Sequence, residues 1–295
     1  MIFTLILLRL ANVKYRDTMK AYAFLLPAII LAAVFSLLPF LKTFISSFFT
    51  VSQSGKVLGF AALDNYITLF SDSAFTASVK NTARFTLLFL PLNTVITFMA
   101  AALTRKRRKL TWITEAIFIS PLAFSLSAFA LVFKEIFRGE VSIANRILST
   151  SLLWLDERGS ALAVLVILGL FLDFAIDYIL LISSFRSIDR SIIEAAEIDG
   201  AGSARMLFQI ETPAIKTMLA ITIFMALKDA ILISAPVMVL TEGGPFRSTE
   251  TIMYFYYLEA FKSGNRAYES TISSMMVLSS ALLMGAIALI RRKDA

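Results

Sequence analysis

Hydrophobic and polar positions in this chain do not alternate finely; they segregate into long blocks. Residues 21–41, 85–104, 116–133 and 270–290 contain no charged side chain at all. As helices rising about 1.5 Å per residue, each block is long enough to cross about 30 Å of hydrocarbon. Two further apolar blocks, 160–184 and 217–241, carry charges near their middles and are read as spans as well. The pattern therefore predicts an all-α integral membrane protein with six transmembrane helices. The polar intervals 42–84, 134–159 and 242–269 hold turn-forming clusters, such as Ser52 to Gly55 and Glu242 to Pro245, and are predicted to be loops on one face of the membrane. Residues 1–20 form a lead-in. Its apolar part, 1–13, is too short to span, is interrupted by Arg9, lacks the basic start of a signal peptide and is read as interfacial. No repeat or low-complexity linker divides the remainder, so 21–295 is taken as one transmembrane domain.

The distribution of charge orients these spans. Arg9, Lys14, Arg16 and Lys20 precede the first, and a run from Arg105 to Lys109 follows the second. Arg186, Arg190, Arg205 and Lys216 lie between the fourth and fifth, and Arg291, Arg292 and Lys293 end the chain. These are more than half of the 28 Lys and Arg, all on one side, and the positive-inside rule makes that side cytoplasmic. Both termini are then cytoplasmic in a multi-pass protein of the plasma membrane, the inner membrane if the cell has two. The net charge of +7 becomes an orientation signal, and no nucleic-acid partner is expected. The run at 105–109 reads as a lipid-facing anchor, with Trp112 as an aromatic anchor at the interface.

Composition narrows the chemistry. Only 17% of residues are charged, and there is no His and no Cys. That excludes imidazole and thiolate metal ligands, thiolate nucleophiles and a Ser-His-Asp triad. The G-x-S-x-G elbow and the G-x-x-x-x-G-K-[ST] phosphate loop are both missing, so neither a catalytic residue nor a metal or nucleotide site is expected in this chain.

The most informative interval runs from Ser187 to Met218. Ser191 to Ile198 favours helix, with Ile192, Ile193, Ala195, Ala196 and Ile198 apolar and Glu194 and Glu197 charged. Gly200 and Gly202 break it, and a second short helix from about Ala204 should stop near Pro213. A short amphipathic helix, a glycine turn and a second helix against the membrane face make an element suited to docking on a partner.

Here the chain resembles the permease subunits of binding-protein-dependent ABC importers, in the branch of the maltose-type, oligosaccharide and glycerol-3-phosphate permeases. The family's cytoplasmic loop is matched by Glu194, Ala195, Ala196, Asp199, Gly200, Ala201, Phe208, Ile210 and Pro213. The external L-D-N-Y stretch is matched by Leu63 to Tyr66, the N-T pair by Asn81 and Thr82, and the G-G-P and S-T-E-T motifs by Gly243 to Pro245 and Ser248 to Thr251. Glu242 and Thr212 depart from the usual Gly and Leu. The resemblance implies the type I importer permease fold, with a coupling helix docked in a cleft of an ATPase. Glu194, Ala195, Ala196, Glu197, Asp199 and Gly200 would form that contact, Glu194 by charge and the two alanines by close approach. It also implies a second permease subunit as heterodimer partner, two ATP-binding subunits that hold ATP and Mg, and an extracytoplasmic solute-binding protein. No cofactor would be bound by this chain.

Ionisable residues inside spans usually face a bundle interior or a water-filled path. Asp173 and Asp177 are four apart in span four, and Lys228 and Asp229 lie at a similar depth in span five. In one reading Asp173 or Asp177 pairs with Lys228 and fixes helix packing. In the other, Asp173, Asp177, Tyr178, Lys228, Asp229 and Ser234 line a substrate pathway. The expected function is alternating-access import of a carbohydrate or related polar solute, driven by ATP hydrolysis in the separate subunit. Where oligosaccharide permeases tend to have aromatic and amide residues in span four, this chain has Asp173, Phe174 and Asp177, which leaves room for a charged solute such as glycerol 3-phosphate, an amino sugar or an acidic sugar. The competing class is an ion-coupled secondary transporter that uses the same charges as a relay.

Overall fold

Helices form nearly all the regular structure in the computed structural model, which describes residues 15–52, 54, 56–106 and 109–293. The apolar part of the lead-in, 1–13, Gly55 of the first turn cluster, and Arg107 and Arg108 of the basic run lie outside the described residues. The chain divides into two compact units, Met1–Tyr66 with Asn265–Met276, and Ile67–Gly264 with Val277–Ala295.

In the first unit, α1 (Tyr15–Ala32) passes through a π-helical turn, Ala33–Leu37, into α2 (Leu38–Ser46). Phe24, Phe35 and Ile45 are all more than half exposed on this path, and such a surface needs lipid or protein against it. A hairpin of β1 (Phe49–Val51) and β2 (Val57–Phe60) follows, with Phe49 opposite Phe60. Asn65 Nδ2 donates to the carbonyls of Ser47 at 2.8 Å and Phe49 at 3.0 Å, and the hydroxyls of Tyr66 and Ser47 share a 2.8 Å bond. The L-D-N-Y stretch thus ties the hairpin to the end of α2.

After α3 (Asp64–Ser71), the second unit is built on α4 (Ser73–Thr104), whose first turn is capped by Asp72, its carboxylate accepting from the Ala74 N–H at 2.7 Å. Next come α5 (Thr111–Ile119), a 3-10 turn Ser120–Ala123, α6 (Leu126–Phe137), α7 (Ile143–Leu148), α8 (Arg158–Arg186) and α9 (Arg190–Ile198). The short α10 (Ser203–Arg205), a π-helical segment Met206–Glu211 and α11 (Thr212–Ala214) run on from one another. They lead into α12 (Lys216–Ile231), α13 (Ala235–Leu240) and α14 (Ile252–Tyr257); a π-helical segment Leu258–Ser263 precedes α15 (Arg266–Lys293). Helices α4 and α8 pack along each other with α12 against both. Phe85, Phe89, Val164, Leu165, Leu168 and Ala226 fill the core between them. Gly169 permits this approach, since a Cβ there would stand 3.2 Å from the Phe85 ring.

Among the described residues, three helical paths are long and apolar enough to cross a membrane: Phe24–Ser46, Ser73–Thr104 and Arg158–Arg186. Two predicted spans are not straight helices. The stretch 116–133 bends by 99° between Thr111–Ala123 and Leu126–Phe137. Pro121 closes the first arm in a 3-10 turn, and the Ser125 hydroxyl caps the second by accepting from the Ala128 N–H. The stretch 217–241 breaks over Leu232 to Ser234. Pro236 has no N–H for the Leu232 carbonyl and its ring crowds that group, so α12 ends and α13 begins anew.

Candidate functional site

The break in α12 lies beside a cavity of about 200 Å3 in the second unit. Its wall includes Phe85 and Phe89 from α4, Asp173 from α8, Asp229 from α12, and Ser234 and Pro236 from the broken stretch. Unwound backbone at membrane depth is tolerated where it borders a cavity or is bonded by protein. Both conditions hold: the Ile233 carbonyl released by the break accepts from the Thr251 hydroxyl at 2.7 Å.

Of the six residues predicted to line a pathway, Asp173, Asp229 and Ser234 border this cavity. The other three are elsewhere. Tyr178 is fully buried, hydrogen-bonded to the Thr104 hydroxyl at 2.7 Å and stacked on Phe174. Asp177, 4% exposed, accepts from Asn93 Nδ2 at 2.7 Å. Lys228 pairs with its own neighbour, its Nζ standing 2.8 Å from Asp229 Oδ1. The expected pairing of Lys228 with Asp173 or Asp177 is therefore corrected. The flexible lysine stem bends back to the adjacent carboxylate, and Asp177 is already held by an amide from α4.

Helix α9 is defined at both ends. Asp189 accepts from the Ser191 N–H at 2.9 Å as N-cap of α9, and that bond holds its carboxyl below the usual carboxylate range. At the other end the Gly200 N–H donates to the Glu197 carbonyl and the Ala201 N–H to the Ala196 carbonyl, the two bonds of a Schellman turn. Gly200 supplies the left-handed residue this turn needs, with φ of +76°. Glu194, Ala195, Glu197 and Asp199 are exposed, and Ile198 is 86% exposed. Ala196 is 7% exposed on a helix that packs against the segment Met206–Glu211, so of the two alanines only Ala195 is on the outer face. The second arm ends at Ala214, next to Pro213 as expected, with Pro213 itself inside the helix. The π-helical turn before it absorbs the missing N–H, the Thr212 hydroxyl donates to the Leu207 carbonyl at 2.7 Å, and helix continues to Ala214.

Sequence reasoning missed what holds this element to the bundle. Arg105, read as lipid-facing, is instead turned onto Glu211, its Nε 2.7 Å from one carboxylate oxygen; the side chains are 16% and 6% exposed. Lys106 stands 3.6 Å from Glu197. Arg186 pairs with Glu115 and donates to the Thr104 carbonyl at 3.0 Å, joining the ends of α8 and α4 to the middle of α5. At the opposite end of α4, Asn81 Nδ2 donates to the carbonyls of Arg247 at 2.7 Å and Glu250 at 3.2 Å. There the Thr82 hydroxyl accepts from the Ile252 N–H at 2.9 Å. The N-T pair and the S-T-E-T stretch, joined by bonds that span up to 170 residues of sequence, are one structure.

A family model described as the binding-protein-dependent transport system inner membrane component matches residues 93–293. The chain belongs to that family. It is 27% identical over 285 residues to the sulfoquinovosyl glycerol transport system permease protein SmoG of Agrobacterium fabrum (strain C58 / ATCC 33970), covering 94% of this chain and 92% of that one. It is likewise 27% identical over 279 residues to the lactose transport system permease protein LacF of Rhizobium radiobacter, covering 92% and 93%. Among solved structures it resembles a chain of a bacterial ABC transporter involved in the import of the acidic polysaccharide alginate. The TM-score is 0.81 at 18% identity, covering 97% of this chain and 99% of that one, a likeness that shows the importer-permease fold.

Proposed function

We propose that this chain is a permease subunit of an ATP-driven, binding-protein-dependent ABC sugar importer. The observation that carries this is a family match over residues 93–293, a stretch that includes the break after α12 and the capped helix α9. In this reading the chain crosses the membrane six times, with the bent α5–α6 pair and the broken α12–α13 pair each completing one crossing, and both termini are cytoplasmic. Helix α9 is the coupling helix. Glu194, Ala195, Glu197, Asp199 and the exposed Ile198 meet the ATPase, Gly200 sets the turn, and Ala196 seats the helix on its own second arm. The Arg190–Glu194 pair, exposed and four residues apart, is worth only a few tenths of a kcal/mol, so it yields readily to an ATPase contact.

The partners are a second permease subunit, two ATPase subunits that hold ATP and Mg, and an external binding protein that delivers the solute. Asp173, Asp229 and Ser234 offer acceptors to sugar hydroxyls, and the Phe85 and Phe89 rings offer an apolar wall for a sugar face. Lys228 balances the charge of Asp229, so Asp173 sets the sign of the wall and favours a neutral or amino sugar over a phosphate or an acidic sugar.

In vesicles holding the full complex, uptake is expected to require ATP. Glu194→Lys should abolish copurification of the ATPase while the permease pair stays assembled. Uptake by this chain driven by a proton gradient without the ATPase would overturn the assignment in favour of a secondary transporter.

A further inference from the structure

We propose that α4 is the connecting rod of the transporter, carrying displacement of the coupling loop to the loop that holds the broken wall of the cavity. This rests on the coupling role proposed for α9. Three attachments define the rod. At one end Arg105 is clamped to Glu211 in the second arm of the coupling loop, 106 residues away in sequence and shielded from water. At the other, Asn81 and Thr82 grip the backbone of residues 247–252 by three hydrogen bonds. Between Asn81 and Arg105 the helix extends about 36 Å at 1.5 Å per residue, enough to link both faces of a bilayer.

The middle is the weak point of such a rod, because Pro91 lies inside α4 and removes one rung of its hydrogen-bond ladder. Two residues beyond it, Asn93 is bonded to Asp177 of α8, which pins the helix where it would otherwise give. From the far end the path continues without a gap. The Thr251 hydroxyl, inside the gripped loop, holds the Ile233 carbonyl, and the next residues, Ser234 to Pro236, are cavity wall. Every joint is a hydrogen bond or ion pair between defined atoms, and the two outer joints act on backbone or on a buried carboxylate rather than on mobile surface groups. If these polar residues served only to satisfy one another, their removal would show in assembly and thermal stability. A transmitting role adds a nucleotide-dependent response at the cavity.

The chain has no cysteine, so Ala235→Cys places a single thiol on the cavity wall. In vesicles holding the full complex, its labelling by a membrane-impermeant maleimide added outside is compared with and without ATP plus vanadate, alongside uptake. Nucleotide is expected to change the labelling rate of the otherwise unaltered complex. Glu211→Gln and Asn81→Ala should each suppress that change and lower uptake about tenfold, while ATPase copurification and basal hydrolysis persist. The exchanged pair Arg105→Glu with Glu211→Arg should restore both responses. An unaltered labelling response and uptake in either single variant would overturn the rod, as would loss of the ATPase from the Glu211→Gln complex that the exchanged pair does not repair. A starting complex whose labelling ignores nucleotide would overturn the importer reading and the rod with it.

Discussion

Asn93 shows how one side chain decides the standing of another. Asp177 announces itself in the sequence as a carboxylate inside an apolar block, and its burial is expensive unless something donates to it. The donor is an amide on a different helix, 84 residues away. Asn93→Ala should leave Asp177 buried without that bond and cost about 1.5–3 kcal/mol, read as a lower Tm of the purified protein in detergent. Asn93→Asp should be worse, because it sets a second carboxyl against the first. An unchanged Tm in Asn93→Ala would mean that the bond contributes little. Polar residues within spans can be listed from sequence, whereas their partners depend on the rotation of each helix about its axis, which is why Asp173 meets the cavity and Tyr178, five residues on, meets the core.

At the level of elements, α9 was legible almost to the residue: the reading placed a helix over 191–198, and the structure has Arg190–Ile198. Local signals suffice there, an N-cap carboxylate and a glycine at the left-handed position. The two glycines of the loop are predicted to differ. Gly200 has φ of +76° and open space around it, so Gly200→Ala meets only the backbone penalty of about 1 kcal/mol. Gly202 has φ of −68°, which any residue accepts. Gly200→Ala should fray the end of α9, seen as faster hydrogen exchange at the Gly200 and Ala201 positions, and should weaken ATPase binding several-fold. Gly202→Ala should change neither. The broken elements were not legible in the same way. Pro121 and Pro236 were visible, but composition alone made 116–133 and 217–241 look continuous, and only the geometry shows a bend of 99° in one and an unwound wall in the other.

For the whole molecule, the feature with the widest consequence is the sign of the cavity wall. The relatives and the structural neighbour include carriers whose names specify a sulfonated glycoside, a neutral disaccharide and an acidic polysaccharide, so family membership leaves the charge of the solute open. The wall of this chain carries Asp173 and Asp229, and the nearby Lys228 is taken up by Asp229. ATP-driven uptake by the full complex should therefore proceed with a neutral or amino sugar and fail with its uronic acid. Asp173→Asn should narrow the difference about tenfold by removing like-charge repulsion while leaving the Lys228–Asp229 pair intact. Uptake of the uronic acid in preference to the neutral sugar would sink this assignment.

By itself the sequence determined that the chain lives in lipid, because blocks of eighteen or more uncharged residues have no other stable environment. It also determined helix α9, because caps and turns are set by neighbours in the chain, and it displayed the motifs that mark the family. The tertiary structure decided which polar residues face a cavity and which only hold helices together. It turned Arg105 from lipid onto Glu211, and it joined Asn81 to a loop 166 residues away. Those outcomes depend on how helices rotate and cross when they pack, and no local run of residues encodes that.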